Sequence, residues 1–146
     1  QYTNLCAVCQ AQLRIMKVRY PKPGIVYKGA IPVAEIALNT SDKYLTILIS
    51  ALLGNAYKFT QEGTISLECD RLGDDRVFVA VADTGCGIPP EKRNDIFGMP
   101  SDDSKATPGL SLALCRLIAR HLSGNISLDE AYTAGARFIF TIPAKP

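Results

Sequence analysis

Val81-Ala82-Asp83-Thr84-Gly85-Cys86-Gly87-Ile88-Pro89 is the stretch on which the fold turns. An apolar run stops at a carboxylate and then passes through two glycines. A strand that ends in this way delivers Asp83 to the edge of a pocket. Without a Cβ, Gly85 and Gly87 can take positive φ and let the main chain approach a ligand closely. Asp followed by Gly is also ordinary turn chemistry, so the meaning of the stretch depends on what surrounds it.

Immediately upstream, Ile65, Leu67 and Cys69 alternate, turn at Gly73-Asp74-Asp75 and return as Val77, Val79 and Val81, which predicts a hairpin whose second strand carries Asp83. Before it, Ser41 or Asp42 caps a helix in which Leu45, Leu48, Ile49, Leu52, Leu53, Ala56 and Phe59 form one apolar stripe, closed by Gly63. That stripe must lie on a sheet. At 100° per residue Asn55 falls on its border, with Ala51 and Lys58 on the same flank, so an amide and a lysine line the seam between buried face and solvent.

Further out, Asn4 caps a first helix with Leu5, Cys9, Leu13 and Met16 on one face, ending before Pro21 and Pro23. Residues 24–30 and 35–39 alternate as two short strands joined across Pro32. Downstream, 91–97 reads as a short helix, and 98–108 is polar and rich in turn formers, a mobile loop. Gly109 opens a helix through Leu122 with Leu110, Leu114, Leu117, Ile118 and His121 or Leu122 inward. A helix N-terminus of this kind suits an anion. Ile126 and Leu128, a turn at 131–135, and Phe138, Phe140 and Ile142 close the chain as a second hairpin. The expected fold class is α+β, a two-layer sandwich with a mixed, mainly antiparallel sheet of about five strands and about three helices on one face.

With 146 residues and 47% hydrophobic composition, one compact domain spanning 1–146 is expected. The net charge of +2 comes from 16 basic and 14 acidic residues, with no run of five like charges, which asks for neither nucleic acid nor direct membrane contact. Five cysteines in mostly apolar patterns suit reduced thiols in the cytoplasm. Cys6-x-x-Cys9 has no second pair at zinc spacing and reads as helix packing. No segment approaches the ~20 consecutive apolar residues of a membrane span. A start at Gln1 points to a piece of something longer, whose parent can be an inner-membrane sensor.

Asn55 with Lys58 on a helix, Asp83-x-Gly85-x-Gly87 after a strand, a loose loop and a helix opening at Gly109 occur in that order. Together they resemble the ATP-binding domain of sensor histidine kinases, within the GHKL superfamily that includes gyrase, mismatch-repair and heat-shock chaperone ATPases and shares the Bergerat-type fold. Asn55-Ala56-x-Lys58-Phe59-Thr60 and Asp83-Thr84-Gly85-x-Gly87-Ile88-Pro89 are similar in particular to the modules of hybrid two-component sensors. The resemblance implies that Asn55 gives its side-chain oxygen to Mg²⁺, Lys58 faces phosphate oxygens, and Phe59 packs on adenine. It further implies that Asp83 accepts from the adenine amino group and that Gly85, Gly87 and Ile88 close over the base. The amides of Gly109 and Leu110 would hold phosphate oxygens, with 98–108 as the ATP lid.

Departures from that pattern bear on activity. Ala51 stands where a second Asn is common, Thr107-Pro108-Gly109-Leu110-Ser111-Leu112 has lost two glycines, and Pro100 replaces an aromatic. A proline stiffens the phosphate loop and removes a donor. Ala51 also cannot act as the general base that hydrolytic relatives place there, which disfavours a self-contained ATPase. The only histidine, His121, is followed by Leu122-Ser123 and not by an acid, and reads as packing or capping, so no phosphoacceptor is expected in this chain. The implied function is an ATP-binding kinase domain that donates the γ-phosphoryl group to a histidine on a separate dimerisation domain, with a response regulator as an indirect partner. The alternative is a degenerate nucleotide-binding signalling module with weak or no kinase activity.

Overall fold

The computed structural model describes residues 2–93, 96–97 and 112–144. Its main sheet has five strands in the order β2-β4-β5-β7-β6: β2 (Ile25–Ala30), β4 (Gly63–Leu72), β5 (Arg76–Asp83), β6 (Asn125–Leu128) and β7 (Arg137–Pro143). Only β2 and β4 run parallel, and the other pairings are antiparallel. A parallel pair needs a crossover, and here it runs through β3 (Ala37–Asn39) and α2 (Asp42–Phe59). With α1 (Leu5–Arg19) and α3 (Leu112–His121), α2 makes three helices in the layer on the sheet. The mixed, mainly antiparallel α+β sandwich expected from the sequence is the fold observed.

Period-two alternation sets which side chains meet the helices. Leu67, Val81 and Phe138 stand side by side across β4, β5 and β7; so do Cys69, Val79 and Phe140, the last facing Ile126 of β6. All of these are buried, and α2 covers them with Leu45, Leu48, Ile49, Leu52 and Leu53, each at most 1% exposed. Parity then decides the next residue. Asp83 follows Val77, Val79 and Val81 on the same face and pairs with buried Ile65, so the strand carries its terminal carboxylate inward.

Two caps appear as the sequence suggests: Asn4 Oδ1 accepts from Cys6 N at 3.1 Å, and Ser41 Oγ accepts from Tyr44 N at 3.2 Å. Cys6 and Cys9 pack in the α1 core face. Three local expectations are corrected. The 35–39 stretch does not continue from β2. Its last three residues pair with β1 (Tyr2–Asn4) in a separate two-stranded sheet, where Asn4 Oδ1 also accepts from Ile36 N at 3.4 Å. Pro32 lacks the donor a continuous ladder needs, which separates the two stretches. The short helix read at 91–97 is not seen among its described residues, 91–93 and 96–97. A single 3-10 turn spans Pro90–Lys92 after Pro89, too short a run to propagate.

α3 keeps only part of the expected face: Ile118 and Leu122 pack against the core as read, but Leu114 and Leu117 do not. Cys115 and Ala119 are buried, whereas Leu114 is 40% and Leu117 61% exposed. Small side chains at 115 and 119 let the helix lie close on its neighbours, and the bulkier leucines turn outward. His121 stacks edge-on against Tyr44 with ring centroids 5.1 Å apart, as a packing residue does. The start of this helix at Gly109 lies outside the described residues. Among the described residues no helix is long and apolar enough to cross a membrane.

Candidate functional site

The site grows from the end of β5. Asp83 is 4% exposed, and its Oδ1 accepts hydrogen bonds from Gly85 N at 2.9 Å and Ala136 N at 3.2 Å. Its own N–H donates to Ala136 O at 2.9 Å, and its carbonyl accepts from the Tyr132 hydroxyl at 2.8 Å. Burial pushes the carboxyl pKa above the usual range, opposed by the two N–H groups that stabilise the anion.

After Asp83 the chain is tied back to its neighbours on both sides. Thr84 N donates to Thr64 O at 3.1 Å, and Thr84 Oγ1 accepts from Thr64 N at 2.9 Å. Gly85 lies against the end of α2, where an added Cβ would come 2.2 Å from Phe59 O, so this glycine serves close approach to protein backbone. The Phe59 carbonyl, one of those a helix C-terminus leaves without an internal partner, accepts from Cys86 N at 3.4 Å. Gly87 has a φ of 72°, in the left-handed region, and passes beside Gly135 O. Ile88 is half-buried against the core, and its carbonyl accepts from Arg93 Nε at 3.1 Å.

α2 supplies the other wall. Asn55 is half-buried, and its Nδ2 is fully enclosed without a hydrogen-bond partner among the described residues. Ala51, one turn earlier, is 1% exposed and part of the core, not of the flank expected for it. Phe59 is 46% exposed, which rules out a plain core role, and Lys58 Nζ sits 5.3 Å from its ring centroid. An open cleft of about 800 Å³ is lined by Lys58, Phe59 and Gly85 together with Lys22, Glu62 and Cys86.

Of the residues expected from the sequence, the structure therefore brings Lys58, Phe59 and Gly85 to one cleft. Asp83 and Gly87 meet at the turn between β6 and β7, while Asn55, Asp83, Gly87 and Ile88 are not in the cleft lining. Gly109, Leu110 and the 98–108 stretch lie outside the described residues.

Sequence reading missed Lys22, whose Nζ donates to Thr60 O at 3.0 Å and lies 4.6 Å from the Tyr57 ring centroid. A lysine between two prolines carries no signal of such a contact. It also missed Tyr132, Gly135 and Ala136, which a turn reading treats as connection only. Among the described residues no group of three or more His, Cys, Asp or Glu can hold a metal ion.

Residues 40–146 match the family model described as histidine kinase-, DNA gyrase B- and HSP90-like ATPase. The chain belongs to this ATPase family. The adaptive-response sensory kinase SasA of Gloeothece citriformis is 33% identical over 98% of the chain, which spans only 38% of that relative. Among solved structures, full-length ShkA in complex with AMPPNP is 26% identical with a TM-score of 0.83, covering all of this chain and 31% of that one. The catalytic domain of histidine kinase ThkA superposes with a TM-score of 0.88 at 23% identity, covering all of this chain and 96% of that one. ThkA in complex with its response regulator TrrA gives a TM-score of 0.82 at 23% identity, covering 99% of this chain and 41% of that one. Within the ATPase family, then, the chain is a domain of the sensor histidine kinase type.

The seat of Gly85 on α2 makes a direct prediction. Gly85→Ala should cost about 1–3 kcal/mol, because the new methyl must displace main chain and not a flexible side chain. Urea unfolding checks this, and an unchanged midpoint would mean that the loop is not seated on Phe59.

Proposed function

We propose that this domain binds ATP through its adenine at Asp83 and presents the γ-phosphoryl group to a histidine on a separate dimerisation domain. The observation that carries the reading is the inward carboxylate of Asp83 at the mouth of a glycine loop. Two backbone N–H groups hold Oδ1 and so fix the plane of the carboxylate, leaving Oδ2 outside these bonds. A fixed acceptor beside a close-lying main chain favours an exocyclic amino group over a carbonyl, which discriminates adenine from guanine. ShkA is solved with the ATP analogue AMPPNP, which supports the same ligand class here.

The remaining roles follow from the residues at hand. Half-exposed Phe59 offers a ring face to the base, and Lys58, extended along that ring, offers its ammonium to phosphate oxygens. The enclosed, unpartnered amide of Asn55 fits a position facing the phosphates with a divalent cation. A half-turn about its terminal bond exchanges Nδ2 for Oδ1 at one place, so the residue can donate to phosphate or ligate Mg²⁺. When bound with the nucleotide, Mg²⁺ supplies charge neutralisation between phosphate oxygens. Gly109 and Leu110 as amide donors to phosphate, and 98–108 as cover, remain assignments from the sequence.

Buried Ala51 carries no proton acceptor, which favours transfer to an external acceptor over hydrolysis. The acceptor histidine belongs to another part of a longer protein, of which residues 1–146 form one nucleotide-handling domain. A response regulator is the further partner; ThkA is solved with one. Use of cellular ATP assigns the domain to the cytoplasmic side, whether or not the parent is an inner-membrane sensor.

Calorimetric titration with Mg·ATP should show binding that Asp83→Asn weakens by about 1.5–3 kcal/mol, because a donor then meets a donor. An unchanged affinity would remove adenine from Asp83. Asn55→Ala should abolish the Mg²⁺ dependence of ATP affinity while adenosine binding persists; equal loss of both would remove the metal assignment. Mixed with a dimerisation fragment from its parent, the chain should form alkali-stable, acid-labile phosphohistidine from labelled ATP. ATP binding without any transfer would leave only the non-catalytic signalling module.

A further inference from the structure

Asp83 is held by one turn through three of its polar atoms. Its N–H donates to Ala136 O at 2.9 Å, its Oδ1 accepts from Ala136 N at 3.2 Å, and its carbonyl accepts from the Tyr132 hydroxyl at 2.8 Å. Between these two residues, Gly135 lies so close that an added Cβ would be 2.2 Å from Asp83 O and 2.7 Å from Oδ1. The same glycine's carbonyl packs on Gly87. Tyr132 is the only side chain in this set of bonds, since Ala136, Gly85 and Gly135 act through backbone.

The turn is itself braced. Asp129 Oδ1 accepts from Ala131 N at 3.0 Å, and Asp129 O accepts from Tyr132 N at 3.3 Å, which places the tyrosine. Arg137 bonds Asp129 Oδ2 at 2.9 Å and Glu68 Oε1 at 3.0 Å, tying the root of the turn to β4. Tyr132 thus reaches Asp83 from a base anchored to the sheet that carries Asp83.

We infer that Tyr132 is a positioning residue for base selection: by pinning the Asp83 carbonyl to the β6–β7 turn, it fixes the carboxylate that distinguishes a 6-amino purine from a 6-oxo purine. The inference rests on the proposed role of Asp83 in accepting from adenine. With the hydroxyl removed, the end of β5 can twist, and the free carboxylate oxygen no longer keeps its aim. A carbonyl at the purine 6-position makes no such bond and meets the carboxylate acceptor to acceptor, so its affinity does not fall when that aim is lost.

The test is the ratio of dissociation constants for ATP and inosine triphosphate, each with Mg²⁺, in the wild type, Tyr132→Phe and Asp83→Asn. Tyr132→Phe keeps the ring, and its folding is checked by circular dichroism. It should weaken ATP about three- to tenfold, the range for one lost hydrogen bond, and leave inosine triphosphate unchanged. A general loosening of the fold would weaken both nucleotides equally and leave the ratio at its wild-type value, and that result overturns the inference. Should the Phe variant not fold, Tyr132→Leu is measured in its place under the same criterion. Asp83→Asn separates the two levels. If it too leaves the ratio unchanged, the adenine reading fails and the positioning role falls with it. If it collapses the ratio while the Tyr132 variants do not, only the positioning role is lost.

Discussion

A carboxylate buried at 4% exposure on the inner face of a sheet is the constraint to which the surrounding structure answers. An ionised group in that position is costly unless hydrogen bonds replace its water. The fold supplies them from backbone: Gly85 from the loop that follows, and Ala136 from the turn entering β7. Neither donor can be removed by a side-chain substitution alone. Each depends on close passage of main chain: at Gly135 a Cβ would strike Asp83 O at 2.2 Å, and at Gly85 it would strike Phe59 O at 2.2 Å, where the loop must lie against α2 to reach Asp83.

The same geometry joins elements far apart in sequence. The loop after β5 rests on the last carbonyl of α2 through Gly85 and Cys86, and on the β6–β7 turn through Gly87. α2 in turn is fixed by the leucines and isoleucine that cover β4, β5 and β7. The distance between the α2 flank and the Asp83 carboxylate is thereby set by core packing, which is stiff, and not by the loop, which alone would be soft. The proposed nucleotide site needs that kind of frame, since the residues assigned to its two ends belong to different layers of the sandwich.

Much of this was legible because two simple periods govern it. Val77, Val79 and Val81 alternate, so Asp83 faces inward by parity, and the stripe from Leu45 to Ala56 leaves Asn55 on a border. Where residue size outweighed period, the reading failed: the leucines of α3 suggested a face that Cys115 and Ala119 occupy. Exposed Leu114 and Leu117 show how a helix can turn its larger apolar groups outward when small ones permit closer packing. Tyr132 and Lys22 were illegible for another reason. Each acts on a carbonyl brought near by tertiary folding, 49 and 38 residues away in the chain, and no local pattern encodes such a partner. The β1–β3 pairing escaped notice likewise: 35–39 alternates enough to read as a strand, but its partner β1 is only three residues long, too short for alternation to register.

Asn55 differs in kind from Asp83. The aspartate has its N–H, its carbonyl and Oδ1 held by the fold, whereas the asparagine amide is enclosed on a helix whose neighbour one turn back, Ala51, has no polar side chain to offer. An unmet donor of this sort costs about 1–3 kcal/mol, enough to matter against a net stability of about 5–15 kcal/mol. A leucine or alanine at 55 would spare the fold that cost, since the flanking positions already pack. What can offset it is a polar partner beyond the described residues, and the proposed ligand is one. The two halves of the site thus divide the work. Asp83 is anchored beforehand through its N–H, its carbonyl and Oδ1, with Oδ2 left over. Under the proposed assignment of Asn55 to the phosphates, ligand binding there would recover free energy that folding left unspent.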